Sequence, residues 1–319
     1  MKEQFCNGPV VPIPTFYDKN LNLNFNTLKK YIEFLEGSGI NILMSTAGTS
    51  QFNLLSLQEI RSFNVNIASY GRRSKILGIP ALNEKETINE INYYNSMFAG
   101  DESIALMLLY PDRLYDSMII KENSMVRFFN NVGSYSKFPL FIHGLPIKDG
   151  RGGSPYEITS NDIYKLSDKY IGMKEESSTF DKGYELCLNT LNGKTIEMVE
   201  VKKDFIFIVA GKSQRRFLLL QSAGAQTFLA GLGNVYPHLD IMFFEFMSRG
   251  IYNQAQKILK IENEFFKYMM RNGWHPSLRG LLTLNGFETN NRIDIRSDAT
   301  LKLIDLKIQK MIKQEGFNL

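Results

Sequence analysis

Short, nearly continuous apolar runs alternate along this chain with stretches whose apolar residues recur every three or four positions. The run "PVVPI" (residues 9–13) predicts a first strand. The stretch "FNTLKKYIEFLEGSG" then carries Leu28, Ile32 and Leu35 on one helical face, with Gly37 and Gly39 to stop it. "INILM" predicts a second strand, and "SLQE" (Ser56 to Glu59) has the form of a capping box opening a helix. "KILGIP", "SIALMLL", "FPLFIH", "YIGMK", "FIFIVAG" and "AQTFLAG" predict strands three to eight. Helical stretches such as "NEINYYNSMFAG", "SMVRFFNNVGSYS" and "SNDIYKLSDK" fall between them.

Eight alternations with apolar strands point to parallel strands buried on both faces. About 250 residues suits a closed (β/α)8 barrel, a TIM barrel, whose active site is built from the loops after the strands. An open doubly wound sheet is the alternative, but no G-x-G-x-x-G follows the first strand. Beyond about residue 236 the strand signal stops. "IYNQAQKILKIENEFFKYMMRNG" and "DATLKLIDLKIQKMIKQ" read as helices packed beside the barrel. The expected organisation is a barrel over residues 1–235 and a C-terminal helical extension over 236–319, in one compact unit.

Composition narrows the function. Of the 319 residues 44% are hydrophobic and 22% charged, with a formal net charge of +4. The pairs Arg72-Arg73 and Arg215-Arg216 are isolated and form no basic stripe for a phosphate backbone, so nucleic acid is not an expected partner. Cys6 and Cys187 are too few for a disulfide framework, which suits a reduced compartment. "MKEQFCNGPV" lacks an apolar run of signal-peptide length, and no stretch approaches the roughly 20 apolar residues of a membrane span. The expectation is a soluble, cytoplasmic protein without a membrane partner.

Candidate chemistry centres on "YIGMKEESS" (Tyr170 to Ser178). In a barrel it puts Lys174 at the C-terminal end of strand six, with Gly172 leaving space beside it. Apolar walls disfavour the charged form of a lysine, and a free amine attacks a ketone to form a Schiff base, an electron sink for breaking or making an adjacent C–C bond. A structural lysine is the plain alternative.

The strand order, the G-x-K-E element around Lys174 and several further segments resemble the dihydrodipicolinate synthase / N-acetylneuraminate lyase family over nearly the whole chain. Those segments are "PVVPIPTF", "AGTSQFNLLSLQE", "FPLFIHGLP", "AGKS" and "GLGNVYP". The resemblance implies a Schiff-base aldolase or lyase acting on pyruvate or a related 2-oxo acid, with Lys174 as the imine-forming lysine. It aligns Ala47, Gly48, Thr49, Ser50 and Gln51 with the family's G-[ST]-T-G-E motif, so that Gly48 and Thr49 hold the substrate carboxylate by turn amides. It also puts His143 where the family carries its proton-relaying tyrosine, with Pro146 retained; an imidazole can carry protons near neutral pH.

For the second substrate's carboxylate the resemblance gives Lys148 without a gap, or Arg151 with a three-residue insertion. Tyr110 lies near the family's neighbouring-subunit tyrosine. "AGKS" is no P-loop, because Ile206 stands where a glycine is needed; Gly211 is expected to turn the chain after strand seven, with Lys212 adding charge near the pocket. Asn234 and Pro237 are expected to shape the turn after strand eight. His143, His238 and His275 have no metal-ligand spacing, and Schiff-base chemistry requires neither metal nor cofactor, so none is expected. The family also implies a homo-oligomer, a tetramer or dimer. Dehydration of a sugar acid passes through the same imine, and a catalytically silent 2-oxo acid or sugar-acid binding protein is the reading outside enzymes.

Overall fold

In the computed structural model the described residues are 2–111, 124–144, 157–193, 201–211, 213–290, 292 and 298–317. Eight strands form one sheet in the sequence order β1 to β8: Val10–Pro12, Ile42–Met44, Ser74–Ile79, Ile104–Leu108, Leu140–Gly144, Tyr170–Glu175, Ile206–Val209 and Thr227–Phe228. All eight coincide with the apolar runs of the sequence, β3, β5 and β6 each extending one residue beyond its run, and every residue in them is buried. Strands covered on both faces have no polar side to alternate with, which is why the runs read as continuous. Strand after helix in this order is the (β/α)8 barrel with C-terminal helices.

The helices are α1 (Phe25–Gly37), α2 (Leu57–Tyr70), α3 (Glu84–Met97), α4 (Ser124–Ser134), α5 (Ser160–Tyr164), α6 (Phe180–Asn192), α7 (Ser213–Leu220), α8 (Pro237–Ser248), α9 (Tyr252–Arg271), α10 (Trp274–Leu284) and α11 (Asp298–Gln314). The capping box at Ser56 and Glu59 forms with both of its bonds, and Leu28, Ile32 and Leu35 form the buried face of α1. A second capping box, Asn83 with Glu86, starts α3 at Glu84, ahead of the stretch its apolar pattern marks from Asn89.

The described chain divides into two compact units. The first, Met1–Asn7 with Ser74–Leu229, holds β3 to β8 and α3 to α7. Its interior is aromatic: Tyr110, Phe128, Phe129 and Tyr170 form a chain of edge-on and tilted contacts, and Phe5 meets Phe141 edge-on. Gly172 belongs to this packing. The space expected beside the lysine is filled, because a Cβ at Gly172 would collide with the Phe141 ring and the Ile206 carbonyl.

The second unit, Gly8–Arg73 with Ala230–Leu319, holds β1, β2, α1, α2 and α8 to α11. Here the chain leaving β8 returns to β1, with the Ala230 N–H donating to the Val10 carbonyl at 2.7 Å. Asn234 is fully buried and accepts the Tyr31 hydroxyl proton at 2.8 Å, and Pro237 occupies the first turn of α8. Both shape the turn after β8, as the sequence leads one to expect. Among the described residues no helix is long and apolar enough to cross a membrane.

Candidate active site

Strands β5 and β6 pair in parallel, but not in uniform register. Leu140 lies opposite Tyr170, whereas Phe141 lies opposite Gly172, so β6 carries one extra residue. A one-residue slip exchanges the faces of everything that follows. Without it Lys174 would lie opposite Gly144. With it, Lys174 lies directly opposite His143, and opposed residues of neighbouring strands share a face.

The result is a cluster in which His143 and Lys174 are buried and Glu176 is half-buried. His143 is 2% and Lys174 3% exposed. Lys174 Nζ lies 2.7 Å from His143 Nε2 and donates to Glu176 Oε2 at 2.9 Å. The same carboxylate oxygen lies 2.6 Å from His143 Nε2. Burial by itself would raise the Glu176 carboxyl. The Lys174 charge and the His143 hydrogen bond outweigh it, and the group is held well below the usual carboxylate range. A value lowered by folding contributes stability that is complete above the unfolded value, about 4.3, and is lost as pH falls towards the folded one. Glu176 is therefore an anion throughout the neutral range. A nucleophile within reach of a base, with the base held by a third group, is an arrangement suited to covalent catalysis.

Strand alternation explains the opposite fates of the two glutamates. Residues 174 and 176 project to one side of the chain and 175 to the other. Glu175, fully buried, accepts from Arg216 Nε at 2.8 Å and from Arg216 Nη2 at 2.6 Å. Arg216, on α7, also donates to the carbonyls of Ser177 and Thr179, while the Ser177 N–H donates to Glu175. The segment that carries Glu176 is thus held from behind. Gly183 on α6 leaves room for the pair: a Cβ there would collide with both Arg216 Nη2 and Glu175 Oε1.

No family model matches the sequence. It is 23% identical over 310 residues to an uncharacterized DapA-like lyase of Pyrococcus furiosus, covering 90% of this chain and 94% of that one. It is 22% identical over 256 residues to a 2-dehydro-3-deoxy-phosphogluconate/2-dehydro-3-deoxy-6-phosphogalactonate aldolase of Sulfurisphaera tokodaii, covering 80% and 78%. Its fold matches the crystal structure of dihydrodipicolinate synthase from Oceanobacillus iheyensis with a TM-score of 0.76 and 17% identity, covering 98% and 97%. In sequence and in fold the chain is similar to proteins of the dihydrodipicolinate synthase / N-acetylneuraminate lyase family. Those relatives are named as lyases and aldolases.

Residues 47–51, which the resemblance aligns with the family's carboxylate-binding motif, lie in the second unit. Ser50 Oγ donates to the Ile13 carbonyl at 2.6 Å and accepts from the Thr46 N–H at 3.0 Å. Gln51 adopts a left-handed conformation at φ 52°, and its side-chain oxygen accepts from Arg279 of α10. Arg279 also donates to the Thr15 hydroxyl at 2.7 Å and lies 4.8 Å above the Tyr17 ring. Burial brings its guanidinium down to about 10. The resemblance did not single out Arg279, because its partners lie more than 200 residues away in sequence. The two residues expected to hold the carboxylate differ. The Gly48 N–H already donates to Thr46 Oγ1 at 3.2 Å, while among the described residues half-buried Thr49 has no hydrogen-bond partner.

The remaining expected positions divide. Gly211 makes the turn after β7 at φ +61°, and a Cβ on it would lie 3.8 Å from Glu176 Cγ, so it borders the lysine cluster. Tyr110 is 5% exposed, its ring 5.1 Å from Phe128. Pro146, Lys148, Arg151 and Lys212 lie outside the described residues. Among the described residues no three His, Cys, Asp or Glu side chains could hold a metal ion.

Proposed function

We propose that this chain is a carbon–carbon lyase that forms an imine between Lys174 and the ketone of pyruvate or a related 2-oxo acid, and uses it to cleave or form the adjacent C–C bond. The contact between Lys174 Nζ and His143 Nε2 at 2.7 Å, with both residues buried, carries the reading. Nζ attacks the carbonyl carbon, and the ketone oxygen leaves as water. His143 then removes a proton from the carbon next to the imine, giving an enamine that adds to an aldehyde; cleavage is the reverse. Covalent capture of pyruvate on Lys174 by borohydride tests this reading.

Thr49 supplies a backbone amide and a hydroxyl to the substrate carboxylate in this proposal. Replacing it by Val removes the hydroxyl and is expected to weaken 2-oxo acid binding by about 1.5–3 kcal/mol, as for the loss of a hydrogen bond to a charged group. The pyruvate concentration needed for half-maximal capture reads that loss; an unchanged concentration removes the hydroxyl from the site. The proposal is completed by a barrel over residues 1–235 with helices over 236–319, a homo-oligomer (tetramer or dimer), and a cytoplasmic setting consistent with two free cysteines.

A further inference from the structure

Glu176 lies one residue beyond the G-x-K-E element, and nothing in the resemblance gives it a role. Its geometry does. One oxygen, Oε2, reaches both Nζ of Lys174 at 2.9 Å and Nε2 of His143 at 2.6 Å. The nitrogen Nε2 carries either a lone pair or a proton. With the lone pair it accepts from Lys174; with the proton it donates to Glu176. It has a partner in both states, so a proton can pass from the ammonium to Nε2 without leaving that nitrogen unpartnered.

Resting on the imine reading above, we infer that Glu176 is the counter-ion of the Lys174 imine and the acceptor that steadies His143 each time Nε2 takes up a proton. The balance of the step explains why one carboxylate serves throughout. An ammonium and a ketone give an iminium and water. The N–C bond forms and the C–O bond breaks. Two of the three Nζ protons leave on the former ketone oxygen, carried by His143, and the third stays on nitrogen. The positive charge therefore remains at Nζ, next to the same anion. A protonated imine is the stronger electron sink, and an adjacent carboxylate favours the protonated form.

Among the described residues, the other charged groups on these elements are paired as follows. Strand β5 contributes His143, and β6 with the residue after it contributes Lys174, Glu175 and Glu176. Helix α7 contributes Arg216, which is joined to Glu175. Glu176 is the carboxylate bonded to Nζ.

The test uses the full chain, pyruvate and borohydride across the neutral and alkaline range, comparing it with Glu176→Gln and Glu176→Asp. Removing the charge should lower the pH midpoint of Lys174 capture by about one unit or more, as expected for losing an adjacent opposite charge. It should also slow exchange of the pyruvate methyl protons at neutral pH by about tenfold or more, one pH unit being tenfold in the protonated imine. Glu176→Asp, which keeps the charge, should have a midpoint nearer that of the unaltered chain. If Glu176→Gln loses its circular dichroism signature, Glu176→Ala is judged by the same midpoint. Capture on Lys174 in all variants with one common midpoint overturns the counter-ion alone. No capture on Lys174 in the unaltered chain overturns the imine reading and the counter-ion with it.

Discussion

Arg216→Met is expected to lower the free energy of unfolding by about 3–5 kcal/mol, the loss typical of removing one partner from a buried ion pair. The mutation leaves the fully buried Glu175 carboxyl without its guanidinium partner. It also strips the Ser177 and Thr179 carbonyls of their guanidinium donor. Water cannot easily replace these bonds, because Gly183 is packed against the pair so closely that it has no room for a Cβ. Urea unfolding followed by circular dichroism measures the effect. The double variant Glu175→Leu/Arg216→Met should recover a large part of the loss, since it removes the stranded carboxyl. A single variant within about 1 kcal/mol of the unaltered chain, the range of an exposed pair, would mean that the interaction is no stronger than a surface one.

His143→Phe is expected to keep imine formation with pyruvate but to lose exchange of the methyl protons by roughly 10²–10⁴-fold, the contribution of a positioned acid/base group. Phenylalanine fills the space of the imidazole and leaves Lys174 and Glu176 their mutual hydrogen bond at 2.9 Å. It removes the nitrogen that lies between them. Exchange into deuterated water reports this step without any second substrate. In the unaltered chain it should rise with pH as the imidazole becomes a free base. Exchange at the unaltered rate in His143→Phe would reduce His143 to a filler of space. An unaltered chain that captures pyruvate but does not exchange would be a binding protein that kept its lysine and lost turnover.

The strands were legible because burial on both faces writes itself as continuous apolar runs, and all eight fall where those runs lie. Helices with a clear stripe or cap were legible for the same reason, as at Leu28, Ile32 and Leu35 and at Ser56 with Glu59. Helix α8 was harder to read, since "PHLDIMFFEFMS" is apolar nearly all round and carries no sharp stripe. Within the site, Lys174 and His143 were visible as chemical types in a familiar order. Their juxtaposition was not. It depends on the extra residue in β6 between Tyr170 and Gly172, a register shift that no side-chain pattern announces. Glu176 was hidden by its neighbour: two successive glutamates look alike in a sequence, and strand alternation sends one to Lys174 and the other to Arg216. Arg279 was hidden by distance along the chain, since it meets Gln51 and Thr15 only after folding.

The most direct measurement of the central claim is peptide mass spectrometry after borohydride reduction in the presence of pyruvate and a panel of 2-oxo acids. The account predicts a reduced adduct on the peptide containing Lys174, absent when borohydride is omitted and absent in Lys174→Ala. An unmodified Lys174 with every 2-oxo acid tested, or an adduct on a different lysine, would contradict it.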